Sequence, residues 1–189
     1  MTKLIPFKKF IVEYEITNGI IPSSKKEDNI DHDEFKKHEL GVVDGHRVVH
    51  YKSKSKGSHY TFVTDSHGST VGHIEHKPTK TAKHGRLAIS NITKDKDSHY
   101  SMGNVLHHLI KHGHSLESDD TNTESGAHRM LQNFSKRPDI TTHIEDGHGE
   151  VVPHTGDITS HENQKKYSGK FEEPHFWNVN RHKLVFGKK

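Results

Sequence analysis

The chain has 189 residues, of which 28% are apolar, 28% are charged and none is cysteine, and its formal net charge is +3. This length is typical of one domain, with a modest core because soluble domains are usually about 45–50% apolar. The absence of cysteine excludes disulfides and thiolate zinc sites, and the near balance of charges argues against a nucleic-acid partner. No apolar run approaches the roughly 18 residues that span a membrane, and the first residues lack the apolar segment of a secretion signal.

Histidine is the outlier in composition, at 21 of 189 residues. His108 and His112 form an i, i+4 pair, but no Glu follows the first His, so the zinc-protease pattern is absent. His73, His76 and His143 alternate as strand residues do. The sequence therefore predicts no dedicated metal site and places most histidines on solvent-facing surfaces, where adventitious Ni²⁺ or Zn²⁺ binding is the alternative.

Residues 1–39 are predicted to hold an N-terminal helix and a polar linker. Apolar residues at helical spacing indicate a short amphipathic helix; they are Phe7, Phe10, Ile11 and Tyr14. The stretch 17–40 is polar and is predicted to be a linker or mobile loop. Within it, 33–40 is predicted to form one short helix, with Asp31 or Asp33 as its N-cap.

From residue 40 the pattern changes to strands. Asp44 and Gly45 form a turn signal between two apolar pairs, which predicts a β-hairpin. Further strands are predicted at 59–63 and 70–76, each followed by turn residues, so the chain continues as an antiparallel meander.

Residues 85–138 carry the strongest pattern. A strand, a helix, a short strand, a polar loop and a second helix are predicted at 86–92, 105–112, 115–118, 119–125 and 126–136. The first helix has an apolar stripe at i, i+3 and i+4 spacing, which predicts that it packs on the sheet.

The turn into the first helix can hold an anion. The first N–H groups of a helix have no partner within it, and the helix dipole adds positive charge there. Ser101 and Gly103 are small enough to let a phosphate approach the backbone. The alternative is an ordinary helix start with small residues.

Beyond Pro138, the chain predicts a hairpin of two strands, 140–145 and 150–152, joined by Asp146-Gly147-His148-Gly149. The stretch 153–170 is predicted to be loop. The last apolar runs are 174–179, which contains Trp177, and 183–186. They are predicted to pack in the core, to add an edge strand or to dock on a partner.

The run 101–110 (SMGNVLHHLI) resembles the acyl-CoA-binding motif of GNAT-type N-acetyltransferases, and the run 114–127 resembles a GNAT subgroup common in tailed bacteriophages. The resemblance implies an α+β fold, with a GNAT-like mixed, mostly antiparallel central sheet and two helices after the central strand. It places the GNAT-like domain at 40–153, after the N-terminal segment 1–39, and leaves 154–189 as a C-terminal tail with an edge strand.

The resemblance also implies acetyl-CoA as co-substrate and an unknown amine as acceptor. The residues expected to bind acetyl-CoA are Ser101, Met102, Gly103 and Asn104 at the pyrophosphate, with Ile89 and Asn91 where the central strands separate and an amide polarises the thioester. The residues expected to act as base or acid are Glu75, His99 and Tyr100.

Three positions depart from the family pattern. The family's Gln or Arg falls on Ser98, its first Gly on Ser101, and the aromatic general acid of its later helix near Leu131. A catalytically degenerate GNAT-like protein of a phage virion, or one that interacts with the host, is therefore the alternative to an active N-acetyltransferase. An unrelated α+β domain that binds metal or nucleic acid is a third interpretation.

The N-terminus carries a second resemblance. Its Phe-x-x-Phe-Ile-x-Glu stretch resembles the capsid-targeting leaders of internal head proteins in some tailed phages. Such leaders are trimmed after a hydrophobic-x-Glu triplet, which Ile11-Val12-Glu13 matches. The resemblance implies a location in the virion or the host cytoplasm, with capsid or other virion proteins as partners, and the lack of a long apolar run predicts no membrane partner.

Overall fold

The computed structural model describes residues 13–17, 19–55, 57–78, 86–118, 133–146, 149–152 and 183–189. Several predicted features lie outside these ranges: the residues before Glu13, the loops at 119–125 and 153–170, most of the second helix with Leu131, and the run 174–179 with Trp177. Of the second helix, residues 133–135 are described and are helical.

Ten strands form one mostly antiparallel sheet in the described part of the chain, and a helix packs on it, so the fold class is α+β, as predicted. The strands are β1 (Glu13–Thr17), β2 (Phe35–Val43), β3 (His46–Ser53), β4 (His59–Thr64), β5 (Thr70–Pro78), β6 (Leu87–Asp95), β7 (Leu116–Ser118), β8 (Ile140–Glu145), β9 (Val151–Val152) and β10 (Lys183–Lys188). The helix is α1 (Met102–Lys111). The spatial order is β2-β3-β4-β5-β6-β7-β10-β8-β9, and β1 pairs with β6 outside this path.

The β2–β3 hairpin confirms the predicted turn. Val43 pairs with His46, so Asp44 and Gly45 alone connect the strands. Their φ angles are +50° and +80°, as in the type I′ turns that follow the twist of a hairpin. Glycine adopts a positive φ freely and aspartate tolerates it. This tight turn therefore holds the Asp44 side chain at a defined position beside the sheet.

Helix α1 connects β6 to β7 in the predicted order of elements, and the two strands are parallel. Its N-cap is Ser101, whose Oγ accepts a hydrogen bond from the Asn104 N–H at 3.3 Å. Because of this cap the helix begins at Met102, earlier than the predicted start at residue 105. The predicted apolar stripe is buried against the sheet, at Val105, Leu106, Leu109 and Ile110.

The two faces of the sheet carry separate apolar clusters. The larger cluster lies under α1 and includes Val48, Ile74 and Ile92. The smaller one contains Val49, Tyr51 and Phe62, with Ile30 packed against it. Because successive side chains of β3 point to opposite faces of the sheet, Val48 belongs to the larger cluster and Val49 to the smaller one.

Two predictions for the N-terminal part are wrong. Residues 13–14, predicted to be helical, belong to β1, which runs parallel to β6. Residues 35–40, predicted to be a short helix, belong to β2, and 3-10 turns at Ser23–Lys25 and Glu27–Asn29 precede them. Pairing with a neighbouring strand overrides the local helical spacing in both places.

The segment predicted to be a mobile linker is packed on the sheet. Glu27 is 9% exposed, and its carboxylate accepts hydrogen bonds from Arg47 Nη1 at 2.7 Å and Tyr51 Oη at 2.9 Å. Burial by itself raises the pKa of Glu27, but these bonds hold the pKa below its usual value. The buried carboxylate is therefore charged and joins this segment to β3.

The C-terminal strand lies inside the sheet. Of the three alternatives predicted for 183–186, the edge strand is wrong, because β10 lies between β7 and β8 and is antiparallel to both, and the core alternative agrees with the burial of Leu184 and Phe186. Strands β8 and β9 pair as the predicted hairpin. Since β10 follows a long stretch of chain, its neighbours are set by nonlocal packing that local sequence does not encode.

Gly72 gives a test of the packing under α1. A Cβ at Gly72 would lie 1.9 Å from Tyr100 Oη and 3.2 Å from Val63 Cβ. Gly72→Ala should therefore lower the free energy of unfolding by about 1–3 kcal/mol, as overpacking does. Urea denaturation of Gly72→Ala, Tyr100→Phe and the double variant measures this. Removing the hydroxyl should reduce the cost of the added methyl, and strictly additive effects would contradict the contact.

Candidate sites at the two ends of helix α1

The N-terminus of α1 binds a carboxylate of the chain itself. Asp44 Oδ2 accepts a hydrogen bond from the Ser101 backbone N–H at 2.9 Å. The Asn104 side-chain amide donates to Asp44 Oδ1 at 3.1 Å and to Oδ2 at 2.9 Å. The Ser101 N–H and the Asn104 amide hold the pKa of Asp44 below its usual value. A carboxylate of the chain itself therefore lies at the helix start where the sequence predicts an anion, held by the Ser101 N–H and the Asn104 side chain.

A chain of polar side chains continues from Asp44. Arg137 donates from Nη2 to Asn104 Oδ1 and from Nη1 to His107 Nδ1, the latter at 2.8 Å. Because Nδ1 of His107 accepts, Nε2 carries the hydrogen, which it donates to Asp139 Oδ2 at 2.7 Å. This chain fastens α1 to the β2–β3 turn and to the residues before β8. It leaves neither ring nitrogen of His107 free to exchange a proton with a substrate.

This end of α1 does not fit a pyrophosphate as it stands. The Ser101 N–H and the Asn104 side chain already bind Asp44, and the Asn104 N–H binds Ser101 Oγ. A diphosphate placed here would also meet the negative charge of Asp44 at close range. Met102 is buried beneath the helix start, and Gly103 is half-buried.

Tyr100, an expected general acid, lies in the core. Its side chain is 5% exposed, and its hydroxyl donates to the Val71 carbonyl at 3.3 Å. Lys94 Nζ donates to the Tyr100 carbonyl at 2.7 Å and lies 4.8 Å from the centre of its ring. These contacts give Tyr100 a packing role beneath the loop before α1. His99, next to it, is exposed.

The remaining predicted residues lie elsewhere on the sheet. Glu75 of β5 is opposite Asn91 of β6, both are half-buried, and the Ser58 hydroxyl donates to Glu75 at 3.1 Å. Strand alternation places Glu75 on the face opposite Ile74, whereas Ile89 belongs to the core under α1. The predicted acid, base and cofactor residues therefore occupy both faces of the sheet.

The edge of β6 on which an amide was expected to bind the thioester pairs with two other strands. Leu87–Ile89 pair with β7, and residues 91–95 pair with β1 on the same side of the strand. The expected amide for polarising a thioester lies at Ile89–Asn91. The described structure places β1 along the second half of that edge.

Sequence reasoning missed a histidine cluster at the other end of α1. His50 on β3 and His76 on β5 are both 0% exposed. Thr61 Oγ1 on β4 lies between them, 3.0 Å from His50 Nδ1 and 3.0 Å from His76 Nε2. The histidine rings of His59 and His114 lie 5.6 Å and 4.7 Å from that of His50. The "histidine cluster" hereafter means His50, His59, His76 and His114.

The histidine cluster is held neutral by burial. Burial lowers the pKa of His50 to about 2, of His76 to about 3 and of His114 to about 4, and repulsion between the rings adds to this. Among the described residues, His50 Nε2, His59 Nδ1 and His76 Nδ1 are buried ring nitrogens without a hydrogen-bond partner. Burying a polar atom without a hydrogen-bond partner costs free energy, and such atoms are uncommon in folded proteins.

The prediction that histidines occupy solvent faces is wrong for His50, His73 and His76, which are buried. A signal was present in the sequence. Strand alternation puts His50 on the same face as Val48, and His76 on the same face as Ile74, and both apolar residues are natural core residues.

Asp44 should stabilise the fold through its charge. Asp44→Asn keeps the turn but removes the charge and should cost about 0.5–1 kcal/mol, and Asp44→Gly should cost about 1–2 kcal/mol. Urea denaturation at pH 7 measures both. The pKa of Asp44 is lower in the folded protein than in the unfolded chain. The stability that the charged Asp44 contributes is therefore fully present above the unfolded pKa and is lost as the pH falls through the folded pKa. Equal stability of all three proteins would contradict the contact with α1.

The histidine cluster should make the protein sensitive to acid. The folded pKa values lie below the ordinary 6.5, so below that pH the unfolded chain binds more protons and stability falls as pH falls. At pH 5, His50 and His76 should each remove about 2 kcal/mol relative to pH 8. Chemical denaturation from pH 8 to pH 5 measures this slope. His76→Gln should flatten it and the exposed control His99→Gln should not, while a flat wild-type profile would contradict the burial.

Comparison of the chain with family models, with curated proteins and with solved structures finds no match. Among the described residues, no helix has the length and apolar character needed to cross a membrane.

Proposed function

We propose that this chain is a GNAT-like protein of a phage virion or of the infected host's cytoplasm, and that its fold serves as a binding scaffold without acetyl transfer. The order of elements supports the GNAT-like part. An antiparallel meander leads into β6, α1 connects β6 to the parallel β7, and a further hairpin follows at β8 and β9. This is the order that the sequence resemblance implies.

The position of Asp44 is the main support for the proposal that acetyl transfer is lost. The carboxylate occupies the N-terminus of α1, where the resemblance puts the pyrophosphate of acetyl-CoA. The turn that holds Asp44 has only two residues, so the carboxylate has little freedom to withdraw. An internal anion at this position competes with any phosphate for the same donors.

Two further observations agree with a scaffold role. The Tyr100 hydroxyl is used inside the core by the Val71 carbonyl, and β1 pairs along the edge of β6 near the expected thioester site. The altered family positions at Ser98 and Ser101 agree with them. We propose capsid or other virion proteins as the partners, on the resemblance of the N-terminus to a capsid-targeting leader.

An acyl-CoA-dependent N-acetyltransferase acting on an unknown amine is the second candidate. This candidate is supported by Glu75 and Asn91, which face each other on neighbouring strands and are both half-buried. They lie beside the point where the pairing partner of β6 changes from β7 to β1. This function requires both Asp44 and β1 to move away from their present contacts.

Acetyl-CoA binding tests the proposal. Calorimetry in EDTA should show no saturable heat for the wild-type protein at millimolar acetyl-CoA, because Asp44 already binds the Ser101 N–H and the Asn104 side chain and its charge repels a diphosphate. Asp44→Gly removes the competing carboxylate while keeping the turn, and Gly103→Glu adds a carboxylate at the helix start. Micromolar binding by the wild type that Gly103→Glu abolishes would overturn the scaffold proposal in favour of the acetyltransferase.

A positive test uses purified phage particles. Mass spectrometry of the particles should recover the protein with a new N-terminus at Tyr14, after trimming behind Glu13. Presence of the chain only in the soluble host fraction would contradict the virion location.

A further inference from the structure

We propose that His50, Thr61 and His76 form a buried two-state proton relay, in which both rings carry their hydrogen on the same nitrogen and change tautomer only together. The three residues lie on the adjacent strands β3, β4 and β5, and all are 0% exposed. Thr61 Oγ1 lies 3.0 Å from His50 Nδ1 and 3.0 Å from His76 Nε2. Both are hydrogen-bond distances, so the hydroxyl bridges the two rings.

The register of the sheet brings the three side chains together. Thr61 pairs directly with His50 of β3 and, on its other side, with Ile74 of β5. His76 follows Ile74 by two residues, so it lies on the same face, at a diagonal position that a long side chain can reach. The centres of the two histidine rings are 5.8 Å apart. The bridge is therefore fixed by strand pairing on both sides of β4.

Counting hydrogens restricts the arrangements of the bridge. The Thr61 hydroxyl has one hydrogen, so it can donate to only one ring, and the other ring must donate to it. If Thr61 accepted from both rings, its own hydrogen would have no acceptor, because the hydroxyl has no other hydrogen-bond partner among the described residues. Both rings are neutral at pH 7, since burial lowers the pKa of His50 to about 2 and of His76 to about 3. Each ring therefore carries one hydrogen, and the direction of the hydroxyl determines where it is.

Two states satisfy both hydrogen bonds. In the first, His50 Nδ1–H donates to Thr61 and Thr61 donates to His76 Nε2, so both rings carry their hydrogen on Nδ1. In the second, His76 Nε2–H donates to Thr61 and Thr61 donates to His50 Nδ1, so both carry it on Nε2. Passage from the first state to the second moves one proton from His50 Nδ1 to Thr61 and one from Thr61 to His76 Nε2. His50 Nε2 gains a proton from solvent and His76 Nδ1 loses one to solvent, so the pair stays neutral.

The two ends of the relay are the ring nitrogens that Thr61 does not contact. His50 Nε2 and His76 Nδ1 are buried and have no hydrogen-bond partner among the described residues. In either state one end is a bare acceptor and the other is an N–H donor. A group that binds at one end therefore sets the hydrogen-bonding character of the other end.

The titratable neighbours of the pair favour its neutral states. Besides the mutual effect of the two rings, the groups that lower their pKa values are histidines of β2, β4, β5 and the loop after α1. They are His38, His59, His73 and His114. Each of these side chains is cationic when protonated, so each opposes a positive charge on either ring of the relay.

Nuclear magnetic resonance of the full, ¹⁵N-labelled chain at pH 7 tests the proposal. The chemical shifts of Nδ1 and Nε2 give the fraction of each tautomer, and His50→Gln and His76→Gln assign the signals of the two rings. We expect the fraction of the Nδ1–H tautomer to be equal in His50 and His76 and to stay equal as the temperature changes. Unequal fractions, or a doubly protonated ring, would overturn the relay.

Two substitutions of Thr61 give a second test that includes stability. Thr61→Ser keeps the hydroxyl and should keep the tautomer fractions of the two rings equal. Thr61→Val has a similar size but no hydroxyl, so it leaves His50 Nδ1 and His76 Nε2 buried without a partner. It should lower the folding equilibrium constant about tenfold relative to the wild type, as measured by urea denaturation at pH 7. Wild-type stability of Thr61→Val, or unequal fractions in Thr61→Ser, would contradict the proposal.

Discussion

The rest of the structure depends on the pairing of β6 with other strands along both of its edges. One edge pairs with β5, and the other is shared between β7 at Leu87–Ile89 and β1 at residues 91–95. This arrangement joins the meander, the N-terminal strand and the C-terminal half of the chain in one sheet. Ile89 and Ile92 of β6 also form the floor on which α1 packs. A change in the register of β6 would therefore disturb every part of the fold.

Hydrogen bonds between polar side chains join several elements of this chain, which has few apolar residues. The N-terminal end of α1 is fastened by the chain Asp44, Asn104, Arg137, His107 and Asp139, and the segment before β2 by the Glu27 contacts with Arg47 and Tyr51. At the other end of α1, His108 Nε2 lies 2.5 Å from the Leu40 carbonyl and joins the helix to β2. Buried polar groups that are satisfied in this way specify a single arrangement, whereas unsatisfied ones carry a cost. Among the described residues, the exceptions are ring nitrogens of His50, His59, His73 and His76 and the hydroxyl of Thr142, which are buried without a hydrogen-bond partner.

Local patterns predicted those elements whose geometry is itself local. The Asp44-Gly45 turn, the meander, α1 with its apolar stripe, and the β8–β9 hairpin follow from turn chemistry and periodicity over a few residues. The same patterns failed for β1 and the beginning of β2, and they left the position of β10 open. Strands β1 and β10 are stabilised by partners distant in sequence, such as Asn91 for Glu13 and Leu116 for Phe186, whereas the beginning of β2 pairs with the end of β3. Of the candidate site, the sequence identified an anion site at Ser101 but not Asp44, which lies 57 residues earlier.

The sequence by itself determined the fold class and the order of the central elements, because periodicity and turn residues are properties of neighbouring residues. The tertiary structure alone decided what occupies the ends of α1. It brought a carboxylate from the β2–β3 turn to the N-terminal donors, and it gathered histidines from β3, β4, β5 and the loop after α1 at the other end. Contacts of this kind join residues far apart in the chain. They arise only when the sheet sets the register of its strands and so brings those side chains onto one face.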